Sequence, residues 1–213
     1  MGLVHARLHR PIEGSIRTVT VSLNAKGQYF ASVLVDDGKD LPEKTTEGKA
    51  VGLDLGLTHF TITSDGSKFD NPRWLAKHEK NLRAKQKRLS RRQKGSNNRN
   101  KARKQVAGGL HKIARCREDF HHNLSRRMID ENQVVVVENL AVRNLVKNHC
   151  LAQAISQVGW GQFCTMLKYK AEPEGKVYLE VDRFFPSSKT CNVCLNQVRS
   201  LTLDVRFWQC EKC

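Results

Sequence analysis

Two kinds of residue in this chain could do chemistry: lone carboxylates set in apolar runs, and paired cysteines. Asp54 stands in "VGLDLGL" and Glu138 closes the run "VVVVE". A carboxylate inside an otherwise apolar strand is costly to desolvate unless a cation or hydrogen bonds meet it. Two such acids emerging from adjacent strands could share hard cations, Mg²⁺ or Mn²⁺, which take oxygen ligands. A pair of ions held this way activates a water and stabilises the leaving oxygen in phosphodiester cleavage. Taken singly, each acid fits at least as well as a strand-end residue capping a loop or a helix N-terminus. Only the pair points to a metal.

The cysteines carry a sharper pattern. Cys191-Asn-Val-Cys194 and Cys210-Glu-Lys-Cys213 are separated by 15 residues. Two-residue gaps let both thiolates of a pair face one tetrahedral ion, which is the spacing of a Cys₄ zinc ribbon. Such a site is structural, because four thiolates leave no position open for water. A redox dithiol is the competing reading of one CxxC, and a second pair at this distance argues against it. The intervening "SLTLDVRFWQ" reads as a strand or hairpin. Cys116, Cys150 and Cys164 read as small hydrophobes. Ser187, Ser188 and Lys189 suit either a phosphate contact or turn chemistry.

The charge is concentrated. The chain of 213 residues carries a formal charge of +16, and the segment from Arg73 to Arg127 alone holds 19 Lys/Arg against three acids, so the rest of the chain is balanced. A cationic element of this kind suits a polyphosphate backbone, because each neutralised phosphate releases condensed counterions. Arg88, Arg91, Arg92, Lys94, Arg99, Lys101, Arg103 and Lys104 are the expected phosphate contacts. The competing readings are a solvated helical face and a membrane-surface helix, and the scarcity of flanking aromatics weakens the second. His121 and His122 read as phosphate contacts or exposed residues. No apolar run reaches membrane-spanning length and no charged-then-apolar leader opens the chain, which leads to the expectation of a cytoplasmic, nucleoid-associated protein.

The elements that must position these groups follow from periodicity. Residues 16–35 alternate around "NAKG" and predict a β-hairpin, preceded by a further strand in "LVHARLHRP" and followed by a linker to residue 49. "AVGLDLGL" and "HFTITSDGSKF" predict a second β block. Leu75, Leu82 and Leu89, then Val106, Leu110, Ile113, Phe120, Leu124 and Met128, predict two helices hinged at "KGSNNRN", a basic helical hairpin over about 73–128. "VVVV" predicts a central strand buried on both faces. Residues 152–171 predict a helix with Trp160 and Phe163 as core anchors, Trp160 also being placed to stack on a base, and "KVYLEVD" a last strand. The class is α/β.

The motifs "GLDLGL", "KQVAGGLHKIARCREDFHHNLS", "VVVVENL", "VGWGQF", "LKYKA", "FPSSKTC" and the paired CxxC, in this order over residues 3–213, resemble the TnpB family of transposon-encoded, RNA-guided nucleases. These are similar to the RuvC part of type V CRISPR effectors. The resemblance implies an RNase H-like (RuvC) mixed sheet over 50–186, with the basic hairpin inserted in it. It also implies a zinc ribbon over 187–213 and, in 1–49, a β-hairpin remnant of a wedge or OB-like domain. Asp54 and Glu138 match the first and second of three catalytic carboxylates. The implied partners are DNA and a guide RNA, and the implied cofactors are structural Zn²⁺ and catalytic Mg²⁺ or Mn²⁺.

Two departures from the family pattern stand out. Leu195 occupies a knuckle position where family ribbons carry glycine, and leucine disfavours positive φ. The family's third aspartate, in an Asp-x-Asn-Ala-Ala context, would follow the fourth cysteine, where this sequence ends; neither Asp182 nor Asp204 is placed to replace it. The expectation is therefore a piece of a longer metal-dependent endonuclease, with a non-catalytic DNA- or RNA-binding remnant as the alternative. An Asp-Asp-Glu transposase ranks below both, since its glutamate sits on a helix and Glu138 directly follows a strand.

Overall fold

The computed structural model describes residues 5–8, 11–202, 205 and 207–213. An N-terminal hairpin, β1 (Ser15–Leu23) and β2 (Tyr29–Asp36), forms a two-stranded sheet of its own. Asn24 builds its turn, its Oδ1 accepting the backbone N–H groups of Lys26 and Gln28 at 3.0 and 2.9 Å. Ile16, Val19, Val21, Leu23 and Tyr29 are all exposed. The strand expected in "LVHARLHRP" lies partly outside the described residues, and residues 5–8 are not strand.

The main sheet has the order β5-β4-β3-β6-β7, built from β3 (Ala50–Leu55), β4 (His59–Thr63), β5 (Lys68–Asp70), β6 (Val134–Glu138) and β7 (Val177–Val181). The first three strands form an antiparallel meander, while β3–β6 and β6–β7 are parallel. Parallel partners need a crossover. Here α1 (Trp74–Ser90) and α2 (Asn97–Glu131) make the first, and α3 (Val142–Leu145), α4 (Ala152–Val158) and α5 (Trp160–Ala171) make the second. At 1.5 Å per residue the 35-residue α2 is about 50 Å long. Ser96 caps it, its hydroxyl accepting from the backbone N–H of Arg99.

The core lies on one face of this sheet. Val51, Leu53 and Leu55 of β3 and Val135 and Val137 of β6 alternate onto that face and meet Leu124, Met128 and Ile129 of α2 and Phe163 and Leu167 of α5. Phe60 stands edge-on to both Phe120 and Phe163, with ring centroids 5.1 and 4.9 Å apart. The opposite face is open. Val136 and Ile62 stay half-buried there and Leu179 is 51% exposed. The expectation of a central strand buried on both faces holds in part: β6 is central and parallel and sealed on one face, while its other face goes from buried Val134 through half-buried Val136 to exposed Glu138.

The helix expected over 152–171 is two helices, broken at Gly159, whose φ is +73°. A Cβ there would sit 3.1 Å from His121 Cε1 and 3.4 Å from Arg117 Cδ, so only glycine allows α4 and α5 to turn this close to α2. The linker before β3 is pinned rather than free: the Gln133 amide donates to Thr45 O at 3.1 Å and to Gly175 O at 3.0 Å. At the far end of α2, Arg126 bridges Asp130 and Glu174, and Lys176 also reaches Glu174.

His121 corrects a sequence expectation. It is 1% exposed, packed among Phe60, Phe120 and Phe163, and donates from Nε2 to Val158 O at 3.0 Å. Burial, aided by the nearby Arg117 and His122 charges, pushes its imidazole down to about 4 from an ordinary value near 6.5. Between those two values the unfolded chain binds a proton that the folded chain refuses. Stability therefore falls as pH drops through that window, by up to about 1.4 kcal/mol per pH unit. Urea unfolding midpoints across this range should show that loss in the native chain and a shallower loss in His121→Phe; an equal slope in both would contradict the burial of a neutral imidazole.

Candidate metal centres and nucleic-acid interface

The two carboxylates are brought together by register. Leu53 pairs with Val137 across the β3–β6 ladder. One step further along both strands are Asp54 and Glu138, so the two side chains leave the same face on strands about 4.8 Å apart. That face is the open one, and both residues are exposed. The desolvation expected from the sequence is therefore absent: alternation along β3 puts Asp54 outward while Leu53 and Leu55 point into the core. A cavity of about 420 Å³ lies between the C-terminal ends of the strands and α5, bordered by Leu55, Glu138, Trp160, Lys168 and Glu180; Glu138 reaches it, and Asp54 does not line it. Clefts at this end of parallel strands are the usual ligand sites of open α/β sheets.

Groups around this cleft are tied together. Glu180 accepts from Asn139 Nδ2 at 3.0 Å and from the Tyr178 hydroxyl at 2.9 Å, and Arg183 donates to Asn139 Oδ1 at 3.2 Å. Burial pushes the Cys164 thiol up, keeping it neutral. Trp160 is 5% exposed and belongs to the core, so it does not offer a stacking face. Asp182 follows β7 on the side opposite Glu138, and its Oδ1 accepts the Phe184 backbone N–H at 2.8 Å in a turn. Asp204 lies outside the described residues. Among the described residues the cysteine quartet alone groups three or more His, Cys, Asp or Glu ligand atoms tightly enough to share an ion.

That quartet is assembled. The Sγ atoms of Cys191, Cys194, Cys210 and Cys213 all lie within 4.8 Å of one another, with Cys191–Cys213 and Cys194–Cys210 at 3.5 Å. Tetrahedral Zn²⁺ with Zn–S near 2.3 Å needs sulfurs about 3.8 Å apart, so the four thiols fit that ion. Backbone N–H groups of Val193 and Lys212 point at Cys191 Sγ and Cys210 Sγ, each at 3.4 Å. The Lys212 N–H pulls Cys210 down to about 6, and a shared proton with Cys191 pushes Cys213 up to about 12. Ser187–Lys189 form a 3₁₀ turn whose carbonyls anchor the ribbon, Ser188 O accepting from Trp208 Nε1 at 3.0 Å. No strand forms among the described residues of 195–209; the ribbon's pairing is instead the bridge between Thr190 and Gln197.

The basic residues cluster around the α1–α2 hinge. Arg88, Arg91, Arg92, Lys94, Lys101, Arg103 and Lys104 are exposed, and none of the seven has an ion-pair partner among the described residues. Arg99 differs. It is half-buried, and its guanidinium donates to Leu89 O at 3.2 Å and Arg92 O at 2.9 Å, closing the end of α1 onto α2. Among the described residues no helix is long and apolar enough to cross a membrane.

With the α/β sheet, the inserted cationic helical pair and the four-thiolate cluster in place, comparison with known proteins gives the chain a family. Residues 30–149 match the OrfB_IS605 model, described as "Probable transposase", and residues 160–213 match the "Cas12f1-like, TNB domain". The chain belongs to this transposase family, the TnpB family. A "Putative RNA-guided DNA endonuclease" of Streptomyces pristinaespiralis is 44% identical over 91% of this chain and 48% of its own length. Its Escherichia coli K12 counterpart InsQ is 26% identical over 99% of this chain and 56% of its own length. The chain thus spans about half the length of these curated relatives.

Leu195 takes φ +59°, the left-handed conformation anticipated at the first knuckle, while its side chain is 71% exposed. A non-glycine residue there is strained by about 1–2 kcal/mol. Leu195→Gly should relieve about 1 kcal/mol, read as tighter zinc retention against a chelator at an unchanged stoichiometry of one ion. Weaker retention in the glycine variant would show that the leucine side chain holds the ribbon.

Proposed function

We propose that this chain is the metal- and nucleic-acid-binding core of a TnpB-type, RNA-guided DNA endonuclease with an RNase H-like (RuvC) sheet. The observation that carries this reading is the β3–β6 register, which sets Asp54 level with Glu138 on one exposed face at the C-terminal strand ends. Asp54 and Glu138 would hold Mg²⁺ or Mn²⁺. Such ions, when bound, polarise a phosphodiester and lower the pKa of an attacking water. The side chains themselves orient on a rigid ladder and leave the phosphate side open. The quartet Cys191, Cys194, Cys210 and Cys213 would hold structural Zn²⁺ and order the last 23 residues of the sequence.

The exposed bases of α1 and α2 lie along a rod about 50 Å long and would follow the backbone of a guide RNA–DNA duplex. Sequence choice would then fall to base pairing rather than to side chains. The apolar, exposed face of the β1–β2 hairpin suits a wedge or OB-like unit.

A second reading has its own support. With only the cysteine quartet grouping three ligand atoms among the described residues, the Asp54–Glu138 pair stands without a third carboxylate. That favours binding of DNA and RNA without cleavage by this chain. Incubation with Mg²⁺ or Mn²⁺, guide RNA and matching DNA, beside Asp54→Ala, separates the two. Cleavage abolished by the substitution supports the nuclease, binding without cleavage supports the second reading, and equal cleavage by both proteins removes Asp54 from the mechanism.

The interface makes a separate prediction. Arg91→Ala and Arg92→Ala should each lower the slope of log affinity against log salt by about 1, the signature of one lost phosphate contact. Arg99→Ala should instead lower thermal stability and leave the slope nearly unchanged, since its guanidinium serves the hinge. An unchanged slope in the first two would make the cationic segment a merely solvated face.

A further inference from the structure

A second cavity, of about 400 Å³, opens where α1 leaves the sheet, between the first turn of α1, the middle of α2 and α4. Its volume falls in the roughly 300–1,000 Å³ range of small-ligand sites. Phe60, Phe120, Ile113 and Val158 give it aromatic and aliphatic walls. Six buried side-chain polar atoms lack a hydrogen-bond partner among the described residues, and three of them, Trp74 Nε1, Arg117 Nε and His121 Nδ1, belong to residues lining this one space. Buried polar groups are normally satisfied, by water or a ligand where the chain offers no partner, so a concentration of unmet ones beside one cavity points to polar contents there.

The chemistry of that partner follows from the three atoms. Nε2–H of His121 donates to Val158 O, and the ring is neutral, so Nδ1 is an acceptor in a side chain that is 1% exposed. The Trp74 indole N–H and the Arg117 Nε–H can only donate. Arg117 is anchored at its other end, where NH1 donates to Gln157 O at 3.3 Å. Two donors and one acceptor among aromatic walls suit a flat heterocycle that presents two acceptors and an N–H. The rim is held in an unusual shape: Arg73 caps α1 at φ +48°, while Asn71 accepts its backbone N–H at 3.2 Å and donates to Leu57 O at 3.0 Å. Backbone strain of this kind persists where surrounding bonds enforce it and clusters at ligand sites.

The cavity borders the start of the segment that carries the whole charge excess of the chain. A flat heterocycle delivered on a polyanion is a nucleobase. We infer that this cavity receives one unstacked nucleobase of the strand bound along α1 and α2, held by Trp74, Arg117 and His121. Trp74 Nε1 and Arg117 Nε are buried in this structure, and small turns of these half-buried side chains would bring their N–H groups onto the base edge. This inference rests on the nucleic-acid interface proposed above and adds a base-binding site to it.

The test uses the zinc-loaded chain and two single strands of equal length and phosphate count, one of uridines and one of abasic ribose units. The uridine strand should bind about tenfold more tightly, within the range that base contacts contribute. Trp74→Leu and His121→Phe should each bring that ratio close to one while leaving the salt slope unchanged, and circular dichroism with zinc content confirms that at least one of them is folded. Competition by free uridine monophosphate, lost in the same variants, would support the cavity as a nucleotide site and show that it needs no strand. Equal binding of both strands by the native chain, or a ratio unaltered by both variants, overturns the inference and leaves the phosphate interface standing. Failure of both strands to bind overturns the inference and the interface together.

Discussion

The parallel ladder between β3 and β6 settles, in one register, which face every residue of two strands takes, because side chains alternate with a period of two. Val51, Leu53, Leu55, Val135 and Val137 all go inward, and each is less than 7% exposed. Full burial of a Val or Leu side chain is worth about 1.5–3 kcal/mol, so a one-residue slip would forfeit several such terms together. Asp54 and Glu138 are carried outward by the same alternation. Their mutual repulsion in water is about 1 kcal/mol at contact distances, far too little to shift the ladder. Apolar burial therefore places the acids, and the divalent cation proposed above would relieve two like charges so held.

The same division of labour runs along α2. Its second half supplies Leu124, Met128 and Ile129 to the core, while its first half projects Lys101, Arg103 and Lys104 into solvent near the hinge. One rigid helix thus links the cationic surface to the sheet that bears the carboxylates. The break at Gly159 belongs to this arrangement, since it lets α4 and α5 fold back onto α2 beside His121 and creates the wall of the second cavity.

Much of this was legible from residue types and spacing. The hairpin around Asn24, the strands about Asp54 and Glu138, the two basic helices and the cysteine quartet all follow from local patterns, because periodicity and CxxC spacing are read within one element. What the sequence hid depends on contacts between elements. Asp54 looks buried in an apolar string, and only the pairing with β6 shows that its face is the open one. The basic context of His121 suggested a phosphate contact, whereas Phe60 and Phe163, from distant segments, enclose it. Arg99 is one base among many until the carbonyls of Leu89 and Arg92 are seen to take its guanidinium. A single left-handed glycine at 159 leaves the hydrophobic period intact, so the split of the predicted helix had no periodic signal. Leu195 was the exception, a local departure from pattern that the backbone records directly.

In the proposed site Asp54 and Glu138 would grip a common divalent ion. Manganese binding followed by electron paramagnetic resonance, on protein whose cysteine quartet is already filled with zinc, reads this without requiring cleavage. Bound Mn²⁺ that is lost to the same extent in Asp54→Asn and in Glu138→Gln is the predicted result. Manganese bound equally by the native protein and by both variants would contradict it.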